Sequence, residues 1–456
     1  MKKNLLKLLL ATVCLLGSTN VSAYDFEVDG IYYDVISFSD LTCTVSNNGV
    51  NWPAGPYEGD IEIPATVSYN NRTLTVVEIA SYAFLDCLEL TGITIPNTIS
   101  SIKDYAFRNC PKLERIKIED GETVLNIGMN SGNVGNNGMF TGCPVVSLYL
   151  GRNLSYTAER FNGYSPFAHI KTLKELTISN YVTKINANAF MYCEDLTSVT
   201  IPNSVTDVEK SAFVGTGLIN LTIPNSVITI GDNAFGGCPE LNNLTISNSA
   251  TKIGNGAFGY NPKLTNVIIP SSVTSIGDEA FEGCTGLTSV VIPNDVTFLG
   301  RRAFMGCTEL TTVIVGNSVP DIMENTFRNC SNLTSVTIGS SVGMIGADVF
   351  NGCNKLAELY SLNPTPPNVY YTSFSSNFTN EQYMNLNVYV PQEALSAYQD
   401  ANIWKNFWNL QGFDPTAIKG AKAENGYGVY YDLRGGRLSA PKRGLNIIKG
   451  KKVMMK

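Results

Sequence analysis

The sequence contains very little histidine: His169 is the single imidazole among 456 residues. One histidine cannot build a histidine-rich metal site, and without evident partners it makes no convincing catalytic triad. The carboxylates of Asp278, Glu279 and Glu282 could pair as acid and base, but their place at the edge of a coil is more typical of a solvated surface. We therefore expect no metal, no other cofactor and no enzymatic activity.

Long apolar runs are absent after the N-terminus, since no later stretch approaches the roughly 20 apolar residues that a membrane-spanning helix needs. The N-terminus itself has a basic start, an apolar run at 5–16 and small residues at 21–23. This pattern predicts that residues 1–23 are a signal peptide and that the mature chain is exported. A lipoprotein anchored at Cys14 is the alternative, although Val13 is bulky where a small residue is wanted.

Charge is sparse, at 16% of residues, and unevenly placed. The chain carries −7, and removal of the three lysines before residue 24 leaves −10. Residues 415–456 contain ten basic and two acidic residues, so this tail carries +8 and residues 24–414 carry −18. Because nucleic-acid binding is driven by neutralisation of phosphates, we expect no nucleic-acid partner. The change of sign also marks a module boundary.

A phenylalanine recurs along most of the chain, usually every 23 residues. A fixed period of this length indicates one supersecondary unit stacked many times, with each coil burying its apolar face against its neighbours. The sequence therefore predicts an elongated, β-rich solenoid in which these rings pack in the core. The recurring residues are Phe84, Phe107, Phe140, Phe167, Phe190, Phe213, Phe235, Phe258, Phe281, Phe304, Phe327 and Phe350.

The coil that begins at Leu287 shows the plan of the repeat. Val290 and Ile292 alternate inward along a predicted short strand, and Val296 with Leu299 forms a second inward pair. Too few residues separate the strand from its neighbours in sequence for a hairpin. We expect one strand per coil, stacked in parallel at about 4.8 Å per coil.

Cysteines follow most of these phenylalanines by three residues. Adjacent coils would bring consecutive α-carbons to about 5 Å, which permits a disulfide in an exported protein. Other coils carry Ile170, Thr216 or Asn261 at the same position, so we favour a ladder of buried thiols. Metal binding is disfavoured because no Cys-x-x-Cys occurs. The nine residues are Cys87, Cys110, Cys143, Cys193, Cys238, Cys284, Cys307, Cys330 and Cys353.

The repeat Leu-Thr-Ser-Val-Thr-Ile-Pro-Asn-Ser-Val-Thr, continued by Ile-Gly-x-x-Ala-Phe-x-Gly-Cys, is nearly whole at 196–213 and 264–284. It resembles the BspA-like leucine-rich repeat, which implies a leucine-rich repeat solenoid over residues 61–385. Residues 24–60 resemble the N-terminal β cap of that family, and residues 386–412 resemble its C-terminal cap of a strand and a short helix. Such caps cover the apolar ends of a stack.

Residues 413–456 predict a small β tail of three segments joined by glycine turns. The tail resembles the end of a type IX secretion sorting domain, although it is shorter than is usual there. The resemblance implies recognition by secretion machinery and display on the outer membrane of a Gram-negative bacterium. A β appendage without a sorting function is the alternative.

Neutral hydrogen-bonding side chains are predicted to line the outward side of the strands. They suit an extended polypeptide or glycan held by many modest contacts, although threonine is also a good exposed strand residue for its own sake. The candidate binding residues are Thr197, Ser198, Thr200, Asn220, Thr222, Asn243, Thr245, Asn266, Thr288, Ser289, Thr311, Thr312, Thr334 and Ser335.

Two insertions, at 127–138 and 156–164, interrupt the period on either side of Phe140. Insertions in repeat proteins map to loops, which often lie on a functional face. A decoration without function is the alternative.

The family resemblance implies an adhesin or recognition module for host extracellular proteins or other cells. A surface glycan-binding accessory protein and a structural envelope component are the alternatives.

Overall fold

The computed structural model describes residues 24–49, 55–128, 139–156, 165–370 and 376–414, together with the backbone of five short strands between 421 and 455. The predicted signal peptide and most of both insertions lie outside these residues. Within them, no helix is long and apolar enough to cross a bilayer.

Strands dominate the structure. In chain order they are β1 (Phe26–Val28), β2 (Ile31–Ser37), β3 (Thr42–Val45), β4 (Glu58–Glu62), β5 (Thr66–Tyr69), β6 (Arg72–Ile79), β7 (Glu89–Ile95), β8 (Ser101–Ile102), β9 (Arg115–Ile118), β10 (Leu125–Ile127), β11 (Ser147–Leu150), β12 (Leu154–Ser155), β13 (Glu175–Ile178), β14 (Lys184–Ile185), β15 (Asp207–Val208), β16 (Asn220–Thr222), β17 (Thr229–Ile230), β18 (Asn243–Thr245), β19 (Lys252–Ile253), β20 (Ser275–Ile276), β21 (Ser289–Val291), β22 (Phe298–Leu299), β23 (Thr312–Ile314), β24 (Asp321–Ile322), β25 (Ser335–Ile338), β26 (Met344–Ile345), β27 (Glu358–Ser361), β28 (Asn368–Val369), β29 (Asn387–Pro391), β30 (Asn409–Phe413), β31 (Ala421–Lys422), β32 (Tyr430–Tyr431), β33 (Arg437–Leu438), β34 (Gly444–Ile448) and β35 (Lys451–Met455).

These strands form two parallel stacks along the solenoid, which confirms the predicted leucine-rich repeat architecture. The first stack joins β4, β7, β9, β11 and β13, then β16 and β18, then β21, β23, β25, β27, β29 and β30. Single bridges from Thr177 to Thr200 and from Asn243 to Asn266 add two further coils to it. The second stack contains mostly short strands in three runs. The first run is β6, β8, β10 and β12, the second is β14, β15, β17, β19, β20 and β22, and the third is β24, β26 and β28.

The prediction of one strand per coil was incomplete, because most coils contribute one strand to each stack. The coil of Val290 places β21 in the first stack, and its second inward pair ends in β22 of the second stack. Only Leu299 of β22 faces inward, since Phe298 is exposed. Two residues are too few to show the alternation of a strand in a sequence.

The phenylalanine rings form a continuous stack through the core, as the period predicts. Every one of them is buried, and consecutive ring centroids lie 4.8 Å (Phe84 to Phe107) to 6.3 Å (Phe167 to Phe190) apart. The stack also extends beyond the predicted members, to Tyr57 at one end and Phe378 at the other. Each ring loses its solvent contact only because coils lie on both sides of it.

The cysteine position is buried and serves the backbone. The Sγ of Cys307 lies 3.3 Å from the carbonyl oxygen of Phe281, one coil earlier, and seven other coils repeat this contact. All ten described cysteines, Cys43 included, are buried free thiols. Burial raises the pKa of the Cys284 thiol to about 12, which keeps it protonated and unreactive.

Both ends of the solenoid are closed by non-repeat structure. At the N-terminus β1, β2 and β3 pair antiparallel, and β3 then pairs parallel with β6. At the C-terminus helix α1 (Asn380–Asn385) precedes β29, and helix α2 (Leu395–Asp400) lies between β29 and β30. Two 3₁₀ turns, Gln392–Ala394 and Trp404–Asn406, complete this cap.

Candidate functional site

The outward side of the first stack is a regular surface that runs from coil to coil, and we call it the strand face. Side chains alternate along each strand: in β16, Asn220 and Thr222 are exposed while Leu221 is buried. Because β16 pairs with β18 in register, Asn220 lies beside Asn243 and Thr222 beside Thr245. The outward residues therefore form two columns that run from coil to coil.

The two columns change in chemistry along the solenoid. The first contains Arg115, Ser147, Glu175, Ser198, Asn220, Asn243, Asn266, Ser289, Thr312, Ser335, Glu358 and Asn387. The second contains Lys117, Tyr149, Thr177, Thr200, Thr222, Thr245, Ile268, Val291, Ile314, Thr337, Tyr360 and Tyr389.

Ten of the fourteen candidate residues lie in these columns, and four do not. Thr197, Thr288, Thr311 and Thr334 precede the columns by one position in their coils. The hydroxyl groups of three of these four threonines donate hydrogen bonds to the preceding coil. Thr288 Oγ1 donates to the carbonyl of Thr265 at 3.2 Å, Thr311 Oγ1 to Thr288 at 2.9 Å and Thr334 Oγ1 to Thr311 at 3.0 Å. We assign these three threonines to stacking of the coils.

Ser335 is the candidate that the structure contradicts. Its side chain was expected to be exposed, but the residue is only 6% exposed and so does not present a hydroxyl to solvent. The adjacent outward residue, Thr337, is buried as well. The equivalent outward residues of β16 and β18 are exposed, so burial here has a local cause.

A shallow polar groove crosses the middle of the strand face. It encloses a volume of about 540 Å³ and is lined by Thr200, Asn220, Thr222 and Thr245, four of the candidate residues, among others. Among the described residues, the hydroxyls of Thr200, Thr222 and Thr245 form no hydrogen bond with the protein, unlike those of Thr288 and Thr311. The Nδ2 atom of Asn243 donates to Oδ1 of Asn220 at 2.6 Å and so fixes the amide beside the groove. The groove offers hydroxyl groups for hydrogen bonding at regular spacing.

A second groove, of about 450 Å³, lies on the N-terminal part of the strand face and is charged. Arg115 Nη2 and Thr91 Oγ1 each donate to Oδ1 of Asp60 at 2.6 Å, and these bonds lower the pKa of the Asp60 carboxyl. Lys117 and Tyr149 complete its outer wall. This groove was not predicted from the sequence, because Asp60, Arg115 and Lys117 are charged, whereas the candidate binding residues were neutral side chains of the regular coils.

In the C-terminal part of the strand face, the second column is largely apolar and aromatic. Ile268 and Val291 precede Ile314 in the second column, and the rings of Tyr360 and Tyr389 stack at 4.5 Å farther along. The edge of Phe413 packs against both tyrosines. Burial raises the pKa of Tyr360 to about 12. The second column thus passes along the chain from charged through polar to largely apolar side chains, whereas the first column remains polar or charged.

The residues considered for catalysis are occupied elsewhere. Asp278 Oδ1 accepts the Arg301 N–H at 2.7 Å, Glu279 pairs with Arg302 at 3.2 Å, and Glu282 accepts the Tyr260 hydroxyl at 2.9 Å. These three carboxylates therefore face three different partners.

His169 packs its ring 5.0 Å from that of Tyr192, and burial lowers its pKa. Over the ranges that the structure describes, no group of three or more His, Cys, Asp or Glu could hold a metal ion.

Comparison with known proteins identifies the repeat. A family model described as "BspA type Leucine rich repeat region (6 copies)" matches residues 67–132, 159–287 and 251–381, which together are more than half of the chain. A search of curated proteins found no match.

Three solved structures illustrate the similarity. A leucine-rich repeat protein of Bacteroides ovatus is 25% identical, with 74% of this chain and 94% of that chain covered and a TM-score of 0.46. A leucine rich cell surface protein of Faecalibacterium prausnitzii is 23% identical, with coverages of 87% and 96% and a TM-score of 0.45. The pneumococcal vaccine antigen PcpA is 19% identical, with coverages of 85% and 98% and a TM-score of 0.40.

Proposed function

Because the chain belongs to the BspA type leucine-rich repeat family, we propose that it is an exported cell-surface recognition module that binds an extended polypeptide along its strand face. The observation that carries the proposal is the polar groove at Thr200, Thr222 and Thr245. An adhesin for host extracellular proteins or other cells is the form of recognition that we favour.

The shape of the surface supports an extended ligand. The two grooves are shallow and lie on one continuous face, whereas a small-molecule site encloses most of its ligand in a cleft. Strands in the stack repeat at about 4.8 Å, so successive coils offer similar groups at short, regular intervals. A polypeptide lying across the coils would make many modest hydrogen bonds.

The binding experiment compares two sets of threonines on the full mature chain, residues 24–456. Thr200→Val, Thr222→Val and Thr245→Val, combined, remove three hydroxyls from the groove. The control, which we call the stacking variant, combines Thr288→Val, Thr311→Val and Thr334→Val. It removes three hydroxyls that donate to carbonyl groups of the preceding coil. The probes are immobilised host matrix proteins and, separately, a glycan array.

We expect the groove variant to bind a matrix protein at least tenfold more weakly, since each lost hydrogen bond is worth about 0.5–1.5 kcal/mol. The affinity of the stacking variant for the matrix protein should stay within twofold of the wild-type affinity. Equal losses in both variants would refute the groove as the site. Binding to glycans alone would replace the polypeptide by a glycan ligand, and ordered self-association without either ligand would favour an envelope component.

Export and surface display form a separate part of the proposal, supported by the signal-peptide pattern and by the tail that resembles a sorting domain. Cells that express the chain with and without residues 415–456 should differ in display, with the shortened chain lost from the outer surface. Unchanged surface display after removal of the tail would exclude a sorting role.

A further inference from the structure

The second column contains two isoleucines in very different environments. Ile268 and Ile314 occupy the same position in their coils and both point away from the core, yet Ile268 is 43% exposed and Ile314 is 1% exposed. Ile314 does not belong to the contiguous apolar core that contains its strand neighbours Val313 and Val315. The sheet alone leaves this position open, as Ile268 demonstrates. Ile314 must therefore be covered from above the strand face.

The covered region extends beyond one residue. Ser335 and Thr337, on the next strand of the stack, are also buried although they alternate with core residues, and Tyr360 is half-buried one strand farther on. Phe413, at the end of β30, turns its ring onto Tyr360 and Tyr389. The chain therefore leaves the described solenoid at the border of this same patch, with Asp414.

We propose that residues 415–456, the basic C-terminal tail, dock on the apolar C-terminal part of the strand face, over Ile314, Thr337 and Tyr360. The length of the tail is sufficient: Ile314 lies four strand steps from β30, about 19 Å, which about six extended residues can span. The tail has 42 residues.

Charge complements the apolar contact. The tail carries +8 and the body −18, and the docking patch contains Glu358 in its first column. A basic segment held near an acidic body gains favourable long-range electrostatics that salt weakens. Docking leaves the polar groove at Thr222 outside the covered region. Docking of the tail requires no ligand on the strand face.

The test is carbodiimide crosslinking on the intact mature chain, which joins a carboxylate to a nearby lysine amine, followed by mass spectrometry. Glu358 should crosslink to lysines of the tail. Glu175, which lies in the same column near the polar groove, is the matched control and should give at least fivefold fewer such links. Links in similar yield from both glutamates would overturn the proposal.

Two matched substitutions test the contact itself. Ile314→Lys places a cation under the basic tail and should reduce the Glu358 links at least fivefold, whereas Ile268→Lys should leave them unchanged. Amide exchange in β18, β21 and β23, the strands that contain or adjoin the substituted positions, verifies that both variants fold. Equal yields in both variants would refute docking at Ile314. Mixing isotope-labelled with unlabelled protein shows whether the crosslinked tail belongs to the same chain as Glu358. Links within one chain support the proposal, and links only between chains would show that the tail of a second copy covers Ile314.

Discussion

At the scale of single residues, the inward position three residues after each core phenylalanine accepts several side chains, and its polar occupants hydrogen-bond the backbone. The thiol of Cys307 approaches the carbonyl of Phe281, and Asn261 performs the same task with a stronger donor. Its Nδ2 atom donates to Phe235 at 3.0 Å and to Phe258 at 2.9 Å, while its Oδ1 atom accepts the Cys238 N–H at 2.7 Å. The sequence predicted that the position tolerates substitution, but not that Asn261 bonds three backbone groups.

Asn261→Ala should therefore destabilise the protein more than Cys307→Ala does. The first change leaves a buried N–H of Cys238 without its acceptor and removes two donors, which we expect to cost about 2–4 kcal/mol. The second removes a weak donor and a small volume, at about 1 kcal/mol. Urea unfolding followed by circular dichroism measures both changes, and equal losses would contradict the role assigned to Asn261.

At the scale of elements, the alternation of apolar and polar residues predicted strands of three or more residues well. It predicted the two-residue strands poorly. The sequence predicted the core residue Val290 of β21 as part of a strand, whereas Leu299 of β22 was predicted only as a member of an inward pair. The helix in the C-terminal cap was expected from the resemblance, and its aromatic anchors are buried: Tyr398 donates to the Asn363 carbonyl at 2.8 Å, and Trp404 Nε1 donates to the Pro367 carbonyl at 2.8 Å.

The cap gives a prediction with an internal control. Trp404→Phe removes the indole donor from the Pro367 carbonyl and part of a buried ring, so we expect a loss of about 1–3 kcal/mol. The effect should be confined to the C-terminal coils, because repeats interact mainly with their neighbours. Trp408→Phe should be neutral, since Trp408 is 76% exposed. The measurement is the rate of amide hydrogen exchange in β27 and β29, near the cap, compared with that in β9, far from it. Equal changes of rate in β27 and β9 would contradict a local role of Trp404.

At the scale of the whole molecule, the regular repeat conceals how the outward side chains vary from coil to coil. The alternation along the strands aligned the polar candidates of the regular coils, but it revealed neither the charged groove at Asp60 nor the burial of Ser335. Periodicity reports which residues face inward, because stacking imposes the same packing on every coil. Outward positions are not constrained by this packing, so their residue types vary between coils. The surface that they form together becomes clear only once the pairing of the strands is known.

The second stack of strands is interrupted at the second insertion, residues 156–164. The first stack is continuous from β11 to β13, but the second stops at β12 and resumes at β14. The side chain of Asn153 spans this break: its Oδ1 atom accepts the N–H groups of Thr183 at 2.9 Å and Lys184 at 3.3 Å, and its Nδ2 atom donates to Thr183 Oγ1 at 3.0 Å. One amide thus replaces a strand pairing.

We expect Asn153→Ala to weaken the coupling between the coils before and after this break. The direct cost should be about 1 kcal/mol, because water can replace bonds at this exposed site. In a linear array, stability depends on each interface between neighbours, so a weakened interface lets the two blocks unfold separately. Hydrogen exchange during a urea titration should then show β9 and β23 losing protection at different midpoints. Asn294→Ala, which removes a similar contact to the Asn317 N–H at 2.9 Å, should leave the separation of the midpoints as in the wild type. A common shift of β9 and β23 in Asn153→Ala would show that the first stack alone couples the blocks.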